Sequence, residues 1–292
     1  MENIIDKDTL IEQLSDQLAE NFLSTLEILN RIVLMTEKFY DGSHSRFVAE
    51  KSERIGAELG LKEESLTELK IAAQLHDLGK VGFSDILLFK NSTEMEINEF
   101  KIYSKHPEIA YNILSVNPHF SEIAKMILYH HEKMDGTGFP YRLTSEKIHY
   151  GAKIISVVNI YHNALFKRKT INQRTNQSIQ NINVQTFLEN TKERFNNVMN
   201  FLYNKRGTQF ETKVVEALIE IETAERRALG EKTVTRLAVN QLEPGMKVAE
   251  DYFTSFGMLI AARGETLTRE SIKALIRFVE NNELPMKILV ME

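Results

Sequence analysis

His130-His131-Glu132-Lys133-Met134-Asp135-Gly136-Thr137-Gly138-Phe139-Pro140, lying downstream of His76-Asp77-Leu78-Gly79-Lys80, decides how this chain is read. Phe120, Ile123, Ile127 and His130 fall on one face of a predicted helix, so the first of the paired histidines continues an inward-pointing row. The helix then runs into a loop with two glycines and a proline. Neither a generic core nor a generic surface explains paired histidines at that place. Ala152, Ile155, Asn159 and His162 repeat the arrangement further on, again bringing polar ends to the interior.

Outward from these stretches the chain reads as mainly α. It has only five prolines, the first at Pro107, and long runs of 3.6-residue periodicity. A first helix is predicted over 9–39, with Leu14, Leu18, Phe22, Leu26, Leu29 and Val33 on one stripe that is either core or a dimer seam. A second covers 43–59 and stops at Gly60, a residue suited to a left-handed cap; a third covers 64–76. The Asn- and Gln-rich stretch 172–183 reads as an exposed loop, with helix resuming near Val184. From about Thr233 the pattern shortens into strands at 236–242, 246–253, 258–262 and 286–290 around a helix at 268–279. Pro244-Gly245, Ser255-Phe256-Gly257 and Arg263-Gly264 mark the turns between them. The predicted organisation is an N-terminal helix (1–40), a helical domain (41–230) and a small α+β module (231–292).

Composition narrows the chemistry. The 292 residues are 42% apolar and 26% charged, with a formal charge of -5, so no basic field favours polymeric nucleic acid. Cysteine is absent, so any metal must be held by His, Asp, Glu or Asn. The N-terminus is acidic where a signal peptide needs a basic region, and no run approaches a membrane span. The expected location is the cytoplasm.

His44, His76, His106, His130 and His131 each sit near a predicted helix end or beside a helix-breaking residue, as residues lining a cleft do. With Asp77, Lys80 and the Gly136–Pro140 loop, they give the chain its resemblance to the HD-GYP family. This is the branch of the HD-domain phosphohydrolases that cleaves cyclic di-GMP, and Phe139 here replaces the middle letter of Gly-Tyr-Pro. The resemblance runs from about Ser24 to about Ile221 and implies an HD-type helical bundle. It implies two divalent transition metals, Fe or Mn foremost, with Zn or Ni as further candidates. His44, His76, Asp77 and the residue at Asn159 would serve the first metal, and His106, His130 and His131 the second. Two metals about 4 Å apart supply a hydroxide nucleophile at neutral pH and positive charge against the transition state. Asp77 is suited to bridging them. Lys80 faces the leaving or bridging oxygen if the helix continues past Gly79. Gly136, Gly138 and Phe139 would approach the substrate, with Pro140 stiffening the loop's exit. Arg168 is either a phosphate clamp or a solvated arginine. The implied partners are cyclic di-GMP and proteins of its signalling pathway, with a homodimer through the N-terminal helix.

The chain departs from the family pattern at three places. Asn159 stands where the family has a carboxylate, and a neutral amide oxygen binds a divalent metal less strongly; His162, one turn on, is the alternative ligand. Tyr40 stands where members with three metals carry a glutamate, so a third metal is not expected. Arg168-Lys169-Thr170-Ile171 keeps only the first arginine of the family's Arg-Pro-Tyr-Arg. Two outcomes are therefore open: a cyclic di-GMP phosphodiesterase, or a degenerate domain acting as a cyclic di-GMP receptor or protein scaffold. An altered substrate wall also leaves room for another nucleotide. The module at 231–292 resembles the short module found beside some HD-GYP domains, through Leu242-Glu243-Pro244-Gly245-Met246.

Overall fold

The computed structural model describes residues 7–40, 43–167, 184–230, 234–249, 251–254, 259–262, 264–281, 284 and 287–291. Arg168, the loop at 172–183 and the turn at 255–257 lie outside them. Eleven α-helices and five short strands are described. α1 (Lys7–Leu34), α2 (His44–Glu58), α3 (Glu63–Leu75), α4 (Asp85–Phe89), α5 (Ile97–Tyr103), α6 (His106–Leu114), α7 (Ser121–Tyr129), α8 (Tyr150–Phe166), α9 (Val184–Lys205) and α10 (Thr212–Gly230) precede the strands. β1 (Val234–Ala238), β2 (Lys247–Val248), β3 (Tyr252–Phe253), β4 (Leu259–Ala261), α11 (Arg269–Glu280) and β5 (Lys287–Met291) follow.

α1 stops five residues short of the predicted end at Phe39. Thr36 turns its hydroxyl back onto the Val33 carbonyl at 2.8 Å, so the last turn is satisfied locally and the chain bends away. The α1 stripe divides along its length: Phe22, Leu26 and Leu29 pack on the main core and Val33 is fully buried, whereas Leu14 and Leu18 are 57% and 65% exposed. α2 begins as predicted, with Ser43 accepting from the Arg46 amide.

The main core joins Val48 and Ile55 of α2, Leu69 and Leu75 of α3, Ile127 of α7, Ile155 and Val158 of α8, and Leu218 of α10. A separate core of Leu242, Val248, Leu275, Ile288 and Val290 belongs to the C-terminal elements. There β5 lies between β1 and β2, antiparallel to both, with Leu237 opposite Ile288 and Val248 opposite Val290. The strand predicted over 246–253 is two strands, β2 and β3, because β3 leaves the first sheet to form an antiparallel pair with β4.

Candidate metal centre

Helix ends build the site. His76 is the C-cap of α3, and Asp77 enters a 3-10 turn over Leu78–Lys80. The helix therefore does not continue to Lys80, yet the tighter turn still aims it inward. Its Nζ lies 2.7 Å from Asp77 Oδ2, both groups buried. His106 opens α6, with Pro107 tolerated in the first turn. His130 is the C-cap of α7 and His131 follows it, so the pair lies at and beyond the helix end rather than within it. His44 opens α2.

Backbone carbonyls orient three of these rings. Nδ1 lies 2.7 Å from the Ala73 carbonyl in His76, 2.7 Å from the Tyr103 carbonyl in His106 and 2.6 Å from the Ile127 carbonyl in His130. Each contact requires a proton on Nδ1, so each Nε2 presents a lone pair. The Nε2 atoms of His106, His130 and His131, together with Asp77 Oδ1, are buried without a hydrogen-bond partner. Buried acceptors left unmatched are costly, and here they point toward one another. Asp77 Oδ1 stands 3.3 Å from His76 Nε2 and 3.7 Å from His106 Nε2, while Oδ2 stands 3.8 Å from His44 Nε2. The carboxylate thus touches both groups of histidines. Within His44, His76 and Asp77, and again within His106, His130 and His131, one donor atom from each residue lies within 4.8 Å of the others. A nitrogen and oxygen donor set without thiolate suits a divalent transition metal.

The electrostatics match that use. Burial opposes charge on Asp77, but His76 and Lys80 overcome it and hold the carboxyl well below its usual range. Burial likewise disfavours the Lys80 ammonium, and Asp77 outweighs that and raises it. Burial holds His44, His106 and His131 well below the ordinary imidazole value and brings His130 down to about 3. Neutral imidazoles beside an ionised carboxylate are the forms that bind metal.

Asn159 is buried, and its Oδ1 accepts from Asn163 Nδ2 at 2.5 Å. Asn163 Oδ1 in turn accepts from the Tyr40 hydroxyl at 2.6 Å. The amide oxygen expected to ligate is thus already engaged. His162 instead meets His44, their Nδ1 atoms 2.9 Å apart. Tyr40 stacks on the His44 ring at 4.3 Å.

Above the histidines, Phe139 stacks on the His131 ring at 4.5 Å. A Cβ at Gly138 would fall 2.4 Å from the Lys133 amide nitrogen, so only glycine lets the loop lie this close. Glu132 fixes the exit by accepting from the Tyr141 and Leu143 amides at 2.6 and 2.9 Å. Gly136, Gly138 and Phe139 line one groove of about 600 Å³ with Phe100, Lys101, Lys105, Glu108 and Arg142.

Several residues of the site were not read from the sequence. Glu37 accepts from the His44 and Ser45 amides at 3.0 and 2.6 Å, and burial lifts its carboxyl to about 7. Tyr103 lies under Lys80, 5.2 Å from ring centroid to Nζ. Lys167 donates to the Lys90 carbonyl at 2.8 Å, and burial brings it down to about 7. Glu37, Tyr103 and Lys167 carried no sequence signal, since each reaches the site only through the fold.

A helical bundle whose helix ends converge on a His-Asp cluster defines the class of protein. The family model described as HD domain matches residues 27–192, more than half of the chain, and the chain belongs to the HD-domain family. HD phosphohydrolases are metal-dependent. The chain is 30% identical to the cyclic di-GMP phosphodiesterase response regulator RpfG of Xanthomonas campestris over 66% of its own length and 47% of the relative's. It is 35% identical to a cyclic di-GMP phosphodiesterase of Thermotoga maritima over 51% of its length and 41% of the relative's. It is 28% identical to the 3'3'-cGAMP-specific phosphodiesterase 2 of Vibrio cholerae over 72% and 35%. The chain thus spans less than half the length of these relatives. Among the described residues no helix is long and apolar enough to cross a membrane.

Proposed function

We propose that the chain is a metal-dependent phosphodiesterase that opens cyclic di-GMP. The observation that most supports this is Asp77, whose carboxylate reaches both groups of histidines while His106, His130 and His131 keep unmatched Nε2 atoms. His44, His76 and Asp77 would hold one divalent ion, and His106, His130 and His131 another, with Fe or Mn the best match; Asn159 would contribute at most a neutral oxygen. Two such ions supply a nucleophilic hydroxide and charge against the transition state. Lys80 pins Asp77 Oδ2 and keeps positive charge beside the reacting phosphate. Lys101, Lys105 and Arg142 give the groove the charge to hold the substrate's phosphates, and Phe139 and Phe100 offer faces to a base. Arg168 would serve as a phosphate clamp or stand as a solvated arginine.

The second buried core supports a separate module over 231–292, while the catalytic domain proposed over 41–230 shares its core with Val33 of α1. The exposed Leu14 and Leu18 support pairing of two copies through the helix ahead of residue 41, which a molecular-mass measurement in solution checks.

The deciding experiment reconstitutes the protein anaerobically with Fe(II) or Mn(II). Metal content and turnover of cyclic di-GMP are then measured, with 3'3'-cGAMP as comparator because a relative is named for it. Up to two equivalents of metal and hydrolysis of cyclic di-GMP are expected. Content well below one equivalent overturns the reading, and turnover of 3'3'-cGAMP alone changes the substrate.

A further inference from the structure

His162 touches no other candidate ligand as it touches His44. Their Nδ1 atoms are 2.9 Å apart, a hydrogen bond in which one ring must donate and the other accept. His44 Nε2, on the far side of its ring, faces His76 Nε2 at 3.1 Å and Asp77. Because His76 carries its proton on Nδ1, its Nε2 can only accept. Two arrangements satisfy the hydrogen bond between the two Nδ1 atoms. In one, His162 Nδ1–H donates to His44 Nδ1, and His44 Nε2–H donates to His76 Nε2. In the other, His44 holds its proton on Nδ1, donates it to His162, and turns a bare Nε2 toward the equally bare His76 Nε2 and Asp77, acceptors that a cation would bring together, while the His162 proton moves to its own Nε2. The proton count is equal in both, and only the second leaves His44 able to ligate.

We propose that His162 is the positioning residue of His44, accepting its Nδ1 proton so that Nε2 is presented to the metal centre. His162 thus does for His44 what the Ala73, Tyr103 and Ile127 carbonyls do for the other rings. An imidazole acceptor differs from a carbonyl in being able to return a proton, so the pair can satisfy itself in the metal-free state as well. The surroundings hold His162 to this task. Its ring is packed 4.6 Å from Phe47 and 4.7 Å from Phe166, and the partner ring is fixed by Tyr40. Outer partners that set ring orientation commonly move metal affinity by about 10- to 100-fold. The inference rests on the metal centre proposed above, but not on its substrate.

The test is equilibrium metal binding rather than turnover. His162→Phe keeps the ring among its aromatic neighbours and removes the acceptor. It should weaken one of two Mn(II) sites by about 10- to 100-fold and leave the other unchanged. At saturating Co(II) the visible spectrum should keep its wild-type intensity, because no ligand is lost. His162→Gln, with an amide oxygen to accept from His44, should recover most of the affinity. In the Zn(II)-loaded wild type, nitrogen NMR of labelled histidine should find His162 protonated on Nε2. Unchanged affinity in His162→Phe overturns the proposal, as does a wild type that binds nothing at His44. Permanent loss of one equivalent with an altered Co(II) spectrum would make His162 a ligand instead. If the metal results hold and cyclic di-GMP is left intact, the substrate reading fails and the role of His162 stands.

Discussion

A Cβ placed on Gly79 would stand 2.0 Å from the carbonyl oxygen of His106. No side chain fits there, so the turn after Asp77 lies directly against the start of α6, bringing His76 and Asp77 to His106. Gly79→Ala should therefore force these backbones apart. Overpacking of this kind costs typically about 1–3 kcal/mol, with more expected against backbone. Chemical denaturation should show a lowered midpoint with an unchanged slope, and metal retention should fall with it. A variant as stable as the wild type would mean that the contact yields freely.

His131→Ala should abolish hydrolysis and reduce metal content while leaving helical content intact. His131 Nε2 makes no hydrogen bond whose loss would unsettle the fold. Full turnover by this variant would place the activity elsewhere.

Asp77→Ala should behave differently, because it leaves the buried Lys80 ammonium without its partner at 2.7 Å. Breaking one side of a buried pair costs about 3–5 kcal/mol, whereas removing both sides is often neutral. Asp77→Ala is thus expected to unfold at lower temperature, and Asp77→Ala with Lys80→Met to regain stability without activity. Equal melting of the two variants would show that Lys80 finds water once Asp77 is gone.

The metal-free protein should lose stability as pH falls from about 7 toward 4. Burial depresses His44, His76, His106, His130, His131 and His162 below the value they regain on unfolding. Below that unfolded value the unfolded chain binds protons the native one refuses, so stability declines with acid. Glu37 works against this, since its raised carboxyl binds a proton first in the native state, but it is one group against several. Melting midpoints measured from pH 8 to pH 5 check the sign, and a rise on acidification would contradict it.

The sequence carried the histidines because each sits near a predicted helix end or beside a helix-breaking residue, and both signals are local. Gly79 and Gly138 could be suspected for the same reason, although what each approaches could not. The contacts around His44 were harder to read. Glu37 and Tyr40 reach it from the bend between α1 and α2, which the sequence read as continuous helix up to Phe39, and His162 comes from α8, 118 residues away, where no periodicity relates the two positions. Lys101, Lys105 and Arg142 read as ordinary solvated charges until α5, α6 and the Gly136–Pro140 loop enclose one groove. The early end of α1 was hidden because Thr36 breaks the helix through its own hydroxyl rather than through a glycine or proline.

Asn159→Asp tests whether this position can serve the centre at all. In the wild type its amide oxygen accepts from Asn163, whose own oxygen accepts from Tyr40. Aspartate has nearly the same shape, so one carboxylate oxygen can keep the Asn163 hydrogen bond while the other replaces the amide NH2 with an anionic donor. In the metal-free protein this adds a buried charge, and the melting temperature should fall. With metal present the same charge becomes a ligand, and affinity at the His44 and His76 half should rise, by about 10- to 100-fold if it follows the usual scale of changes around a metal. Because ligand binding stabilises only the native state, the metal-induced rise in melting temperature should then exceed that of the wild type. Chelator competition measures the affinity, and calorimetry with and without Mn(II) measures the two melting temperatures. A variant destabilised when metal-free yet unchanged in affinity would mean that residue 159 faces Asn163 and Tyr40 rather than the metal, leaving His44, His76 and Asp77 as the ligands of that half.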